Sequence, residues 1–180
     1  MGWRKQAAMQ LYERLLGSSF HRLPPELPLF HARGGGDATW ALRVRRCPGR
    51  WRAAVARVLA LPAPTDGAQG RLHVRASGDR ELWTRVFPDR EVRTTQRLQR
   101  GRLVETHGPV SFFFEVEATE MGLRFVDRGC SLLGIRLPRR IAPSVSATVR
   151  RDANGWDIEV SLALPLFGTI LSYGGVVTPA

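Results

Sequence analysis

His107 is the side chain best suited to proton transfer near neutral pH, and Glu105 stands two residues before it, ahead of Gly108-Pro109. Such a pair needs a nucleophile to activate, and none lies at useful spacing; no Ser/His/Asp or Cys/His constellation runs through the chain. His21, His31 and His73 are too scattered for a metal site, and Cys47 and Cys130 lack CxxC spacing. Glu115 and Glu117 share one face of a strand about 7 Å apart. Carboxylates so placed bind a cation or divide acid and base roles, but the arginines nearby favour ion pairs. The sequence therefore assigns no catalytic residue and no metal.

The formal charge is +11. Of the 27 basic residues only Lys5 is a lysine, a bias that a GC-rich genome produces as readily as a binding adaptation does. Residues 1–110 hold 20 basic and 9 acidic side chains and residues 111–180 hold 7 of each, so the excess is N-terminal. It concentrates in 38–65, where Arg43, Arg45, Arg46, Arg50, Arg52 and Arg57 meet no acid. These six are candidates for contact with an anionic surface, against the plainer reading of a solvated face. With no recognition motif and no regular aromatic platform, they predict weak, salt-sensitive attraction to polyanions and no sequence-specific nucleic-acid binding.

Two helical patterns and a procession of strands must position these residues. Residues 6–16 place Ala8, Leu11, Tyr12, Leu15 and Leu16 on one broad side. Pro24, Pro25 and Pro28 stiffen a connector, and 31–37 (HARGGGD) reads as a flexible loop. Residues 39–45 form a first strand, and 50–61 a second helix with Trp51, Val55, Val58 and Leu59 on one face. From residue 71 onward apolar and polar residues alternate. Phe112, Phe114 and Val116 oppose Glu115 and Glu117, and Ile158, Val160 and Leu162 repeat the pattern. Strands are expected at 71–76, 82–87, 90–98, 110–118, 123–128, 144–150, 156–164 and 169–177. The fold class is α+β: N-terminal helices packed on a mainly antiparallel, curved β-meander, half-barrel or barrel-like. At 180 residues it fits one domain, with a helical and loop-rich part at 1–66 and the meander at 67–180.

Two features of the meander invite a ligand. Trp83, Arg85 and Phe87 share one side of their strand, and Arg93 and Arg124 occupy charged faces of theirs. In an open sheet these are cross-strand ion pairs in water; in a sheet curled with that side inward, Arg85, Arg93 and Arg124 line a site for a carboxylate or phosphate. The second feature is a pair of apolar hairpins at 131–138 and 164–171, carrying Leu133, Ile135, Phe167 and Ile170. Turns usually face water and are polar. An apolar one is buried under another element, inserted in a lipid surface, or set at the mouth of a cavity.

LYERLLG at 11–17, RLPPELPLFH at 22–31, GRLVETHGP at 101–109, LRFVDRGCSLLGIRLPRRIAP at 123–143 and WDIEVSLALPLFGTILSY at 156–173 follow one another in a familiar order. In that order they resemble the bacterial family named domain of unknown function 4166. The resemblance implies a stand-alone domain or a companion of NAD(P)-binding modules similar to saccharopine dehydrogenase, and it carries over no catalytic residue. The chain departs from the family pattern at Cys130 and Gly175, where a larger side chain is expected. No dinucleotide-binding module is present, so no cofactor is expected.

Three functions follow in order. The first is a non-catalytic binding module for an apolar or amphiphilic, lipid-like ligand or a membrane surface, with Trp83, Arg85, Arg93, Arg124, Leu133, Ile135, Phe167 and Ile170 as candidate contacts. The second is a docking accessory for a separately encoded NAD(P)-dependent oxidoreductase, and the third an enzyme with an unrecognised site. Neither a signal-peptide core nor a spanning apolar run is found. The expected location is the cytoplasm, with peripheral contact to the inner membrane as the alternative.

Overall fold

The computed structural model describes residues 11–25, 27, 35–58, 61–77 and 79–180. Its body is one antiparallel sheet in which, β8 apart, each strand lies beside its neighbours in sequence. The strands are β1 (Gly35–Arg46), β2 (Thr65–Ser77), β3 (Arg80–Val86), β4 (Glu91–Gln99), β5 (Arg102–His107), β6 (Val110–Thr119), β7 (Gly122–Leu132), β8 (Ile135–Arg136), β9 (Ser144–Asp152), β10 (Gly155–Leu164) and β11 (Gly168–Pro179). Pairing of β1 with β11 and of β6 with β7 closes the sheet, and β8 is a two-residue flap outside the ring. The result is an antiparallel barrel of ten strands. Closure removes most of the unpaired edge that an open sheet would leave exposed.

Alternation sets the inside. Along β1, Ala38, Trp40, Leu42 and Val44 are buried while Thr39, Ala41, Arg43 and Arg45 are exposed. Phe114 and Leu162 are buried in the core, with Phe112, Val116 and Ile158 packed against it, as the period of two requires.

The helices are slighter than their patterns suggest. Of the 6–16 pattern, α1 (Leu11–Leu16) is helical and runs into a 3₁₀ segment (Gly17–Arg22), with 6–10 outside the described residues. Rather than lying on a sheet face, this segment stops one end of the barrel. Leu11, Tyr12, Phe20, Leu23 and Leu27 join the same buried cluster as Ala38, Leu103, Leu123, Trp156 and Val177, the interior residues at that end. The second helix, α2 (Arg50–Val58), belongs to the β1–β2 connection and so stands at the opposite end. It stops short of residue 61; Leu59 and the side chains of Trp51, Val55 and Val58 lie outside the described residues. Among the described residues no helix is long and apolar enough to cross a membrane.

Two glycines correct the sequence reading. Of the loop expected at 31–37, residues 31–34 lie outside the described residues and 35–37 are strand: Gly35 opens β1 with φ +94, and a Cβ there would stand 2.2 Å from the Val74 carbonyl oxygen. The larger side chain expected at position 175 does not fit either. Gly175 has φ +145, and a Cβ would lie 1.7 Å from the Ala41 carbonyl oxygen across the β1–β11 seam. Cys130, the other departure, is wholly buried on β7.

Candidate functional site

Among the described residues, the interior holds one polar cluster, built by three consecutive strands. Glu81, Trp83 and Arg85 point inward from β3, and their cross-strand partners Gln96, Thr94 and Val92 point inward from β4. Glu105 reaches the same wall from β5. Arg85 Nη2 lies 3.1 Å from Glu105 Oε1, and Arg85 Nη1 donates to Thr94 Oγ1 at 2.8 Å. Gln96 Nε2 donates to Glu105 Oε2 at 3.1 Å, and the Tyr12 hydroxyl of α1 donates to Gln96 Oε1 at 2.8 Å. Trp83 Nε1 donates to Glu81 Oε2 at 3.0 Å, and the Arg85 guanidinium stands 5.2 Å from the centre of the Trp83 ring. Arg85 and Glu105 are thus held in a row of hydrogen-bonding partners, the condition for keeping such a pair away from water, with the buried carboxylate of Glu81 beside them.

The electrostatics agree with that arrangement. Burial works against an ionised Glu105, but the Arg85 charge and hydrogen bonds from Thr94, Gln96 and Arg85 outweigh it, and the carboxyl titrates below its ordinary range. Burial likewise works against a charged Arg85, while Glu105 outweighs it and raises its pKa. Tyr12 and Tyr173 are both pushed above the ordinary phenol value, by burial first. These are the chain's 2 tyrosines. Each folded-state pKa lies above the unfolded value of 10.0, so their contribution to stability is intact below that pH and lost as pH rises through the folded pKa. A spectrophotometric alkaline titration should therefore show less tyrosinate in folded than in unfolded protein at pH 10. An early half-amplitude step with ordinary phenol behaviour would contradict it.

Beside the cluster lies a cavity of about 230 Å³. Tyr12 forms part of its floor; Trp40, Phe87 and Tyr173 form one aromatic wall, with ring centres 5.6–6.0 Å apart. Phe112, Phe114 and Phe125 form another, and Val145, Ala147, Val149, Ile158 and Val160 complete it. Leu61, Pro62, His107, Val110 and Pro143 lie at the end away from α1, where His107 is exposed. The cavity therefore reaches water at the end that carries α2 and the β7–β9 connection. A wider groove of about 420 Å³ on the outer wall, lined by Arg43, Arg45, Ser146, Arg150 and Glu159, is open to solvent that already hydrates those groups.

The barrel wall itself has a split. β7 and β9 pair only from Gly122–Phe125 to Ala147–Arg150, in the half nearer α1. A bulge on β7, opposite Phe113, bends that strand, and its upper part takes β8 as partner at Ser131 and Leu132 instead. Phe125 and Ala147, the last pair before the split, both line the cavity.

Not all the residues singled out from sequence meet here. Trp83 and Arg85 line the interior; Arg93 and Arg124 do not. Arg93 stands on the outer wall against Glu91, and Arg124 on the outer wall 3.9 Å from Glu117. Glu115 likewise pairs outside with Arg128 at 2.7 Å. Leu133 and Ile135 are exposed at the β7–β8 turn and Phe167 at the β10–β11 turn, whereas Ile170 is buried. The six arginines of 38–65 are dispersed. Arg43 and Arg45 are on the outer wall, Arg46 bonds the Leu61 carbonyl, Arg50 and Arg57 project from α2, and Arg52 donates to the Phe167 carbonyl from Nε (3.0 Å) and Nη2 (2.8 Å). His107 Nδ1 is bound to the Arg93 carbonyl at 3.0 Å. Sequence reasoning does not find Thr94, Gln96, Tyr12 or Tyr173 as members of the site, and it notices Glu105 only as the neighbour of His107. The available signal is the run of polar residues at alternate positions, Glu81/Arg85 and Thr94/Gln96, on strands otherwise facing a core.

Fold and interior together define a closed up-and-down β-barrel with a small lined cavity, stopped at one end by its own N-terminal segment. Residues 23–177 match the family described as domain of unknown function (DUF4166), and the chain belongs to that family. No curated protein and no solved structure matches it.

Proposed function

We propose that the barrel is a non-catalytic binding module that takes one small amphiphilic molecule into its interior. The observation that supports this is the 230 Å³ cavity, apolar on most sides and carrying one charged pair on its wall. Packed interiors leave few voids larger than a water molecule, and this one equals roughly eight waters of the liquid. It lies below the ~300–1,000 Å³ of sites for drug-sized ligands, which suits a short hydrocarbon chain with a compact polar end. The chain lies against Phe112, Phe125 and Val160, and the polar end meets Arg85 and Tyr173. Because Glu105 already neutralises Arg85, a headgroup without charge is preferred: a hydroxyl accepts from Arg85 and donates to Glu105, whereas a carboxylate brings a further negative charge beside Glu105.

The test is displacement of a neutral naphthylamine fluorophore from the folded protein at pH 7 by 1-octanol and by octanoate. Octanol is expected to displace it at least tenfold more effectively, a difference of about 1.4 kcal/mol. Equal displacement would remove the headgroup preference, and failure of both the fluorophore and octanol to bind would remove the function.

A further inference from the structure

Antiparallel connectivity sends every second connection to the same end of the barrel, and the two ends differ. Eight large hydrophobic side chains are exposed among the described residues, and six of them (Leu132, Leu133, Ile135, Ile141, Leu166 and Phe167) lie at the end with α2, at the close of β7 and on the β7–β9 and β10–β11 connections. Leu133 is 78% exposed, Ile135 73% and Leu166 87%, so nothing in the described structure covers them.

Leu133 is also held against its backbone preference. Leu132 pairs with Ile135, so Leu133-Gly134 is a two-residue hairpin turn, with φ +50 at Leu133 and φ +83 at Gly134. Such a turn favours asparagine, aspartate or glycine at its first position, and a leucine there is strained. The turn thus carries a large aliphatic group into water where asparagine would suit the backbone better.

Charge identifies the partner. The connections at this end carry Arg50, Arg52, Arg57, Arg90, Arg136, Arg139 and Arg140, with Asp89 the one acid, and Arg139-Arg140 adjoin Ile141. The connections at the α1 end carry Asp79 and Glu120 against Arg100, and the α1 segment stopping that end carries Glu13 against Arg14 and Arg22, so the charges there balance. Aliphatic tips on separate turns, ringed by guanidinium groups, match the two layers of a membrane surface that bears anionic lipid. We propose that this end of the barrel docks on an anionic bilayer, with Leu133, Ile135 and Leu166 entering the acyl boundary and the arginines meeting the headgroups. The tips insert whether or not the cavity is filled, so vesicle binding and amphiphile uptake are separately measurable.

The experiment is co-sedimentation of the full chain with vesicles of phosphatidylcholine alone or mixed with phosphatidylglycerol. Binding is expected to be at least tenfold stronger to the mixed vesicles and to weaken with salt. Leu133→Asn should raise or preserve the melting temperature while lowering vesicle affinity severalfold, and Leu133→Asn with Leu166→Ser should lower it at least tenfold. Arg139→Ala/Arg140→Ala should lose at least tenfold, on mixed vesicles only. Unchanged binding of well-folded tip variants, or equal binding to both vesicle types, would overturn the proposal. So would failure to bind vesicles while the same end captures a protein such as a separately encoded oxidoreductase.

Discussion

Replacing Arg85 by methionine is expected to lower the free energy of unfolding at pH 7 by about 3–5 kcal/mol, measured by urea denaturation, because it leaves Glu105 ionised against the barrel wall without its cation. Arg85→Met/Glu105→Leu, which removes both charges, should recover most of that loss. The pH dependence separates an electrostatic cause from a packing one. In the parent protein the folded Glu105 titrates below its ordinary value of 4.5, so its contribution is present above that pH and lost as pH falls through the folded value. Once Arg85 is gone, burial governs, and the folded carboxyl should titrate above the unfolded one. Its contribution is then favourable in acid and lost as pH rises through the folded value, so the deficit of Arg85→Met should shrink on going from neutral pH into acid. A deficit that stays constant with pH would mean that Arg85 acts by filling space alone.

That pair also shows where sequence reading stops. The period of two in β1, β6 and β10 is plain, because a half-buried strand shows its buried face in its own residues. Which face of β4 turns inward depends on its register with β3: Trp83 opposes Thr94 and Arg85 opposes Val92, while Thr84 opposes Arg93. A shift of one residue would carry Arg93 inside and Thr94 out. Arg124 follows the same rule, standing opposite Glu117 on the outer wall while Phe125 opposite Val116 faces in. β5 escapes notice because RLVETH has only two apolar residues in a row and reads as the approach to Gly108-Pro109, and the inward direction of Glu105 is hidden with it. Closure through β1 and β11, and the split between β7 and β9, join residues far apart in sequence. Local alternation carries no trace of either.

The hairpins make the opposite case, since their apolar character is legible and their exposure is not. Leu133 and Ile170 look alike as aliphatics near a glycine, yet one stands at a turn in water and the other inside β11. The Leu133-Gly134 turn becomes distinctive only when its φ angles are known.

Ala147→Phe is expected to abolish amphiphile uptake, lowering affinity at least a hundredfold, while leaving the barrel at least as stable as before. Ala147 projects from β9 into the cavity between Phe125 and Val160, its partners on either side, and it is the smallest side chain on that wall. A phenyl ring there occupies the space proposed for the hydrocarbon chain. In a filled interior the added atoms would cost about 1–3 kcal/mol, but a void of about 230 Å³ accepts them, and the ring packing against its walls should change stability by between zero and about +2 kcal/mol. Ser146→Phe supplies the control, because residue 146 is exposed on the outer wall and the same ring there leaves the interior untouched. Urea unfolding and fluorophore titration on the three proteins decide between the outcomes. Ala147→Phe that folds and still binds would place the ligand outside the barrel, whereas Ala147→Phe that loses several kcal/mol would show that the wall cannot accommodate the ring and that the space beside Phe125 is packed closed in solution.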